Sequence, residues 1–263
     1  LRLLLSSPQD EVIKLGQDIN CMLPREYMEE YGEIIKLLKS RIFYYDSKKK
    51  EIQYFNPREI PNVKMTVLSA TLNEKLWKDF CRNRIIKMKE VREAKYVGKL
   101  FQYTYYSMSR KCIQENGYEN IKSRIMEITG KKIISINTFK SLNEEIEIHF
   151  GKTEGFDGYK GEDLVVLGTP HYIESLYKMI GAYLNYDTSK KIFRQRVENL
   201  SYSFILMTFK DIEMRNLQMF FLESELEQAV GRARLLRYHC NVWVFSNFPL
   251  KQAQIIQDDY LKS

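Results

Sequence analysis

The densest chemistry in the sequence lies in Ser224-Glu225-Leu226-Glu227-Gln228-Ala229-Val230-Gly231-Arg232-Ala233-Arg234. Arg232, Arg234 and Arg237 cannot lose their charge, and their forked donors suit phosphate oxygens. Gln228 adds an uncharged amide one helical turn upstream. Gly231 costs a helix about 1 kcal/mol relative to alanine, so its place amid charge calls for the close approach of another backbone or of a phosphate. Ser224 and Glu227 stand at capping-box spacing, the hydroxyl facing one amide and the carboxylate reaching back to the other. That spacing predicts a helix opening at 224 and running to 237. Taken alone, the segment also fits an ordinary basic surface helix.

A second group of residues is glycine-rich. Gly151, Gly155, Gly158 and Gly161 allow backbone amides to approach phosphates. The group includes Lys152, Thr153, Asp157 and Lys160. Gly151-Lys152-Thr153 imitates the end of a P-loop, but the glycine required five residues earlier is replaced by Ile146. A self-contained P-loop is therefore rejected. A third group, Ser69-Ala70-Thr71, places small hydroxyl residues after the apolar run Val67-Leu68. By itself this reads equally well as a strand-to-helix cap.

The elements that must position these groups follow from periodicity. Residues 10–41 read as helical, with Pro24 dividing them into two helices. Residues 42–45 and 52–55 form a hairpin candidate about a polar turn. Strands are expected at 63–68 (buried), 101–106, 133–136, 146–150, 164–168, 202–209 and 241–246. Helices are expected at 72–80, 119–129 with Gly130 as C-cap, 172–185, 224–237 and from about 249. Alternation of strands with helices implies an α/β layer with a largely parallel sheet.

Composition narrows the partners. The 263 residues hold 41 Lys+Arg against 34 Asp+Glu, a net charge of +7 that favours a polyanionic partner. Basic clusters occur at 48–50, 131–132 and 190–196; each also reads as a solvated face. The 18 tyrosines and 14 phenylalanines suit base stacking and a filled core alike. Four cysteines without a Cys-x-x-Cys pair and three separated histidines speak against a zinc or iron–sulphur site and for a reduced, cytoplasmic setting. No apolar run approaches the roughly 20 residues of a membrane span. Leu1 is not a start methionine, which suggests a fragment.

Three strings, in order, carry a resemblance. Thr66-Val67-Leu68-Ser69-Ala70-Thr71-Leu72 resembles motif III of superfamily-two helicases. Residues 150–170, with the cadence Glu154-Gly155-Phe156-Asp157 and a run to Pro170, resemble motif V, most closely that of the DinG/XPD branch. Residues 228–237 resemble motif VI, Gln-x-x-Gly-Arg-x-x-Arg. Residues 133–140 are similar to motif IV, though any buried strand would be. Departures exist. Leu235 takes the position of the last motif VI arginine, and the Gly-Arg-x-Arg spacing is closer to the Dicer and chromatin-remodeller branches. The short interval before motif V implies that a strand–helix element is missing. The long one after Pro170 is expected to hold an added helical element rich in Lys and Arg.

The resemblance implies a RecA-like three-layer α/β/α fold with a largely parallel sheet. It implies that 1–90 is the end of a first RecA-like domain, with a helical and hairpin segment, and that 91–263 is the second. It implies ATP and Mg2+ in the intact protein, bound mainly by an N-terminal domain outside this chain, and a single-stranded nucleic acid, DNA before RNA. In this scheme Gln228, Arg232 and Arg234 are catalytic, and Gly155, Asp157, Gly231 and Arg237 line the nucleotide. Ser69 and Thr71 couple hydrolysis to movement, while Lys152, Thr153 and Lys160 meet nucleic acid. Two other classes stand beside it. One is a catalytically inactive RecA-like nucleic-acid-binding or scaffold module. The other is an unrelated α/β enzyme such as a nucleotide transferase.

Overall fold

The computed structural model describes residues 9–22, 28–46, 49–57, 63–69, 71–82, 84–91, 94–132, 134–142, 148–153 and 155–261. The chain divides into two compact units: residues 1–68 with 173–189, and residues 69–172 with 190–263.

The first unit is built from α1 (Gln9–Met22), α2 (Met28–Lys39) and the antiparallel hairpin β1 (Ile42–Asp46) and β2 (Glu51–Phe55). These are the two helices and hairpin that the sequence predicts, although Pro24 itself lies outside the described residues. Gly16 lets the helices touch: a Cβ there would sit 2.8 Å from Leu38 Cβ. The hairpin is anchored by the buried Ser40, whose hydroxyl donates to the carbonyls of Ile42 and Phe55. A helix from far along the chain, residues 174–183, completes this unit. Its Tyr177, Met179 and Ile180 are buried, and Tyr183 meets Phe55 edge-on at 5.9 Å.

The stretch after the hairpin is irregular. Residues 63–68 do not form the expected buried strand: Val63, Met65, Val67 and Leu68 are exposed and residues 64–69 take no regular structure. β-propensity alone cannot make a strand, because its backbone groups need a neighbouring ladder, and none pairs with it among the described residues. A short helix, α3 (Glu74–Phe80), follows, capped by Asn73, whose side chain accepts from Leu76 N.

The sheet comprises β3 (Lys99–Tyr103), β4 (Ser135–Asn137), β5 (Leu164–Leu167), β8 (Asn241–Phe245) and β9 (Gln254–Ile256), all parallel, in the order β4-β5-β8-β3-β9. Alternation along each strand sends side chains to two apolar layers. Leu100, Leu164, Val166, Val242 and Val244 face one helix, α7 (Ile212–Gly231), and the hairpin β6 (Ile192–Asn199) and β7 (Tyr202–Phe209). Val165, Leu167, Trp243 and Phe245 face α4 (Arg110–Asn116) and α5 (Tyr118–Thr129) through Ile113, Ile121 and Ile125. The helix at 174–183 is α6 in chain order. The expected α/β/α layering is present, and Gly130 closes α5 in the left-handed conformation as predicted.

Four expectations are corrected. No helix starts at Ser224. α7 begins thirteen residues earlier at an Asp211 cap, whose carboxylate accepts from Glu213 N and Met214 N. Mid-helix amides already have partners four residues back, so the buried Ser224 hydroxyl finds none. The helix ends at Gly231 rather than 237. The Lys- and Arg-rich stretch 190–196 is not helical: it leads into β6, turned tightly at Leu200 and Ser201, both with positive φ. Lastly, no helix starts near 249. Gln252 takes a left-handed turn and β9 fills the open edge of β3. Of the expected strand 146–150, residues 146–147 lie outside the described set, and His149 forms a single parallel bridge with Thr138.

Candidate functional site

Two sets of polar groups stand at opposite ends of the sheet. At the amino ends of β5 and β8, the glycine-rich loop and the arginine segment meet. Gly161 N donates to Ala233 O at 3.0 Å, and Gly161 lies against the Tyr238 ring, where a Cβ would come within 3.1 Å at an unfavourable φ of +78°. Beneath them, Gly98 admits no side chain at all. A Cβ would sit 2.5 Å from Cys240 O and 2.8 Å from Tyr238 O. Val97 N and Gly98 N both donate to Leu235 O. The arginine turn is thus held by backbone from two segments, at Gly161 and at Val97–Gly98.

Within it, Arg234 takes the left-handed conformation and its guanidinium bonds Asp157 at 2.6 Å. That bond, with the adjacent charge, holds the Asp157 carboxyl below its ordinary range. The pair is exposed, contributes little to stability, and so is open to exchange for a phosphate. Arg232 donates from Nη1 to Phe156 O at 3.3 Å, while its Nε is buried with no partner. An unsatisfied charged donor beside a glycine-rich loop is the strongest anion-seeking feature of this region. Gln228 is half-buried one turn back, and Arg237 is exposed. Leu235 is packed in the apolar layer, so the last motif VI arginine would have no place here. Gly231 has no atom within 4 Å of where a Cβ would stand. No neighbouring backbone therefore requires that glycine.

The remaining sequence candidates are dispersed. Lys160 Nζ lies 5.8 Å over the Tyr238 ring, beside the arginine turn. Gly155 is exposed at φ +74°. Lys152 is exposed, but Thr153 is 2% exposed, which leaves it no surface to offer a strand. Ser69 and Thr71 lie in the irregular stretch before α3, where Ser69 Oγ accepts from Thr71 N, and not at a strand end.

The second set escaped the sequence reading. A groove of about 750 Å³ opens at the carboxyl ends of β4 and β5, lined among others by Arg110, Phe139, Lys140, His149, His171 and Tyr172. Parallel α/β sheets bind ligands on this side. Gly168 makes its floor possible: at φ +127°, a Cβ would meet Phe139 at 2.6 Å. The Arg110 guanidinium lies 5.1 Å over the Phe139 ring, which stacks edge-on with Phe150. His171 is held from α7 by Gln218. The Gln218 amide nitrogen donates to Met207 O at 2.9 Å and lies 3.2 Å from His171 Nδ1. Because a carbonyl can only accept, that nitrogen is fixed as donor, His171 Nδ1 accepts, and the proton sits on Nε2. Burial lowers the His171 pKa to about 4, so the ring is neutral. The only sequence signal for this groove was the spacing of aromatic and basic residues just past strands β4 and β5.

Among the described residues, no three of His, Cys, Asp and Glu gather to hold a metal, and no helix is long and apolar enough to cross a membrane. Fold and site together define an α/β protein of RecA-like build, with an arginine turn at one end of its sheet and a cationic, aromatic groove at the other. Comparison with protein families, curated proteins and solved structures returned no match.

Proposed function

We propose that this chain is the C-terminal part of an ATP-dependent nucleic-acid helicase or translocase, acting on single-stranded DNA in the first place. The observation that carries the reading is the meeting of the two glycine- and arginine-bearing segments: Arg234 on Asp157, Arg232 on Phe156 O with a buried, unpartnered Nε. Arg232 and Arg234 would offset charge developing on a transferring phosphoryl group, a role worth roughly 10³ to 10⁵ in rate in NTPases. Gln228 would orient the attacking water. The triphosphate itself would be held by residues outside this chain. Among the described residues, no carboxylate cluster fits magnesium. The groove would take the strand, with Arg110 and Lys140 on phosphates and Tyr172 against bases.

The test is Arg232→Ala in the intact protein. ATP turnover should fall at least a hundredfold while single-strand binding holds within a few-fold. Retained turnover sinks the arginine assignment.

A second reading, an inactive RecA-like nucleic-acid-binding or scaffold module, is favoured by one observation. Ser69 lies outside any strand, away from the geometry that motif III needs. Full single-strand binding by an intact protein devoid of ATP turnover would support it.

A further inference from the structure

The stripe of α7 that faces the groove runs on to the arginine turn. Gln218, Phe221, Glu225, Gln228 and Arg232 recur at three- and four-residue spacing, which places them along one side of the helix. The first three grip the segment after β5: Gln218 holds His171, Phe221 meets the Tyr172 ring edge-on at 5.7 Å, and Glu225 accepts from the Tyr172 hydroxyl at 2.7 Å. The other oxygen of Glu225 accepts from Gly151 N at 3.0 Å. Tyr172 and Gly151 come from separate loops, and both line the groove.

Glu225 is a carboxylate in a groove whose other charges, Arg110 and Lys140, are positive. Its two oxygens are already engaged, one on each loop, so it has a structural task in the groove rather than a contact to offer an anion. Without it, the Tyr172 ring loses the hydrogen bond that fixes its orientation, and the Gly151 amide loses its acceptor. The six steps from Glu225 to Gly231 span about 9 Å of helix at 1.5 Å per residue, so the clasp sits on the same helix that Arg232 caps.

We propose that Glu225 is a positioning residue that holds Tyr172 and the Gly151 loop as the two walls of a single-strand-binding groove. This rests on the function proposed above and adds the residue that shapes its nucleic-acid site. A hydroxyl or amide bonded to a charged acceptor is a strong bond, and losing it should weaken strand binding roughly tenfold.

The test exploits a sign. If Glu225 were merely an acidic neighbour, removing its charge would relieve repulsion and tighten the binding of a polyanion. If it is a clasp, removal loosens binding. The full chain is titrated against fluorescently labelled (dT)12 at several salt concentrations. Glu225→Ala should bind about tenfold more weakly, with an unchanged salt slope because no phosphate contact is lost. Glu225→Gln, which retains one acceptor, should fall between. Tyr172→Phe, which alters no charge, should weaken binding about threefold, and the Glu225→Ala/Tyr172→Phe double variant should be no worse than Glu225→Ala alone. Wild-type-like or tighter binding by Glu225→Ala overturns the proposal and leaves the helicase reading standing. Failure of the wild-type chain to bind any single strand overturns both. Should Glu225→Ala fail to fold, Tyr172→Phe carries the decision: unaltered binding there refutes the clasp.

Discussion

His171 shows how a single side chain acquires a fixed chemical state. Gln218 settles its tautomer and burial settles its charge, giving the groove a neutral Nε2–H donor. The same arrangement makes stability depend on pH. The folded chain keeps the ring neutral down to about 4, against 6.5 for the unperturbed group, whereas the unfolded chain takes up a proton near the ordinary value. The contribution is therefore complete above about pH 6.5 and is lost as pH falls through about 4. At about 1.4 kcal/mol per unit, the loss is at most about 3.5 kcal/mol. Urea unfolding at pH 7 and pH 4.5 should show it, and His171→Gln should shrink the difference between the two pH values. An identical difference in the variant would assign the whole effect to carboxylates. Arg234 is the contrasting case at this scale. Its partner Asp157 is exposed, so the pair is a surface contact, ready to be replaced.

At the scale of elements, α7 is the organising piece. Its last residue, Gly231, has open space where a side chain would stand and no positive φ. Alanine fits there and should raise helix stability by up to about 1 kcal/mol. If a phosphate approaches that backbone, the same substitution lowers ATP turnover in the intact protein. A higher melting temperature together with reduced turnover is the expected pair of results. Unchanged turnover would mean that the glycine only ends the helix.

The helix also shows what was legible in the sequence. The strands at 164–167, 202–209 and 241–245 were readable because apolar runs of that length in an α/β chain have few other uses. The start of α7 was not readable, because Ser224 and Glu227 have cap spacing by coincidence within a helix already nucleated at Asp211. β6 was missed because its turn uses Leu200 and Ser201 in left-handed conformations instead of the Asn-Gly that signals such hairpins. The arginine turn was found through residue types. The groove was not, since its walls are single residues from separate loops that only the folded sheet brings together.

For the whole molecule, the unit containing the sheet carries both candidate sites, yet the chain has no Gly-x-x-x-x-Gly-Lys-Ser/Thr string. Its arginines would serve a phosphate held elsewhere. The chain by itself should therefore neither bind ATP tightly nor hydrolyse it, with or without single-stranded DNA. Nucleic-acid-stimulated phosphate release by the purified chain, persisting through further purification, would contradict that assignment and require a nucleotide site within these residues.

The path of the chain bears on how the protein emerges during synthesis. The N-terminal helices and hairpin are joined by α6, residues 174–183, and the first strand of the sheet, β3, lies between the last two, β8 and β9. Neither unit can close on what has left the ribosome first, although translation adds only about 5–20 residues per second. For most of that time, β1 and β2 await α6, and β3 awaits its neighbours in the sheet. The arginine turn can take its seat on Gly98, just ahead of β3, only once residues 233–240 have been made.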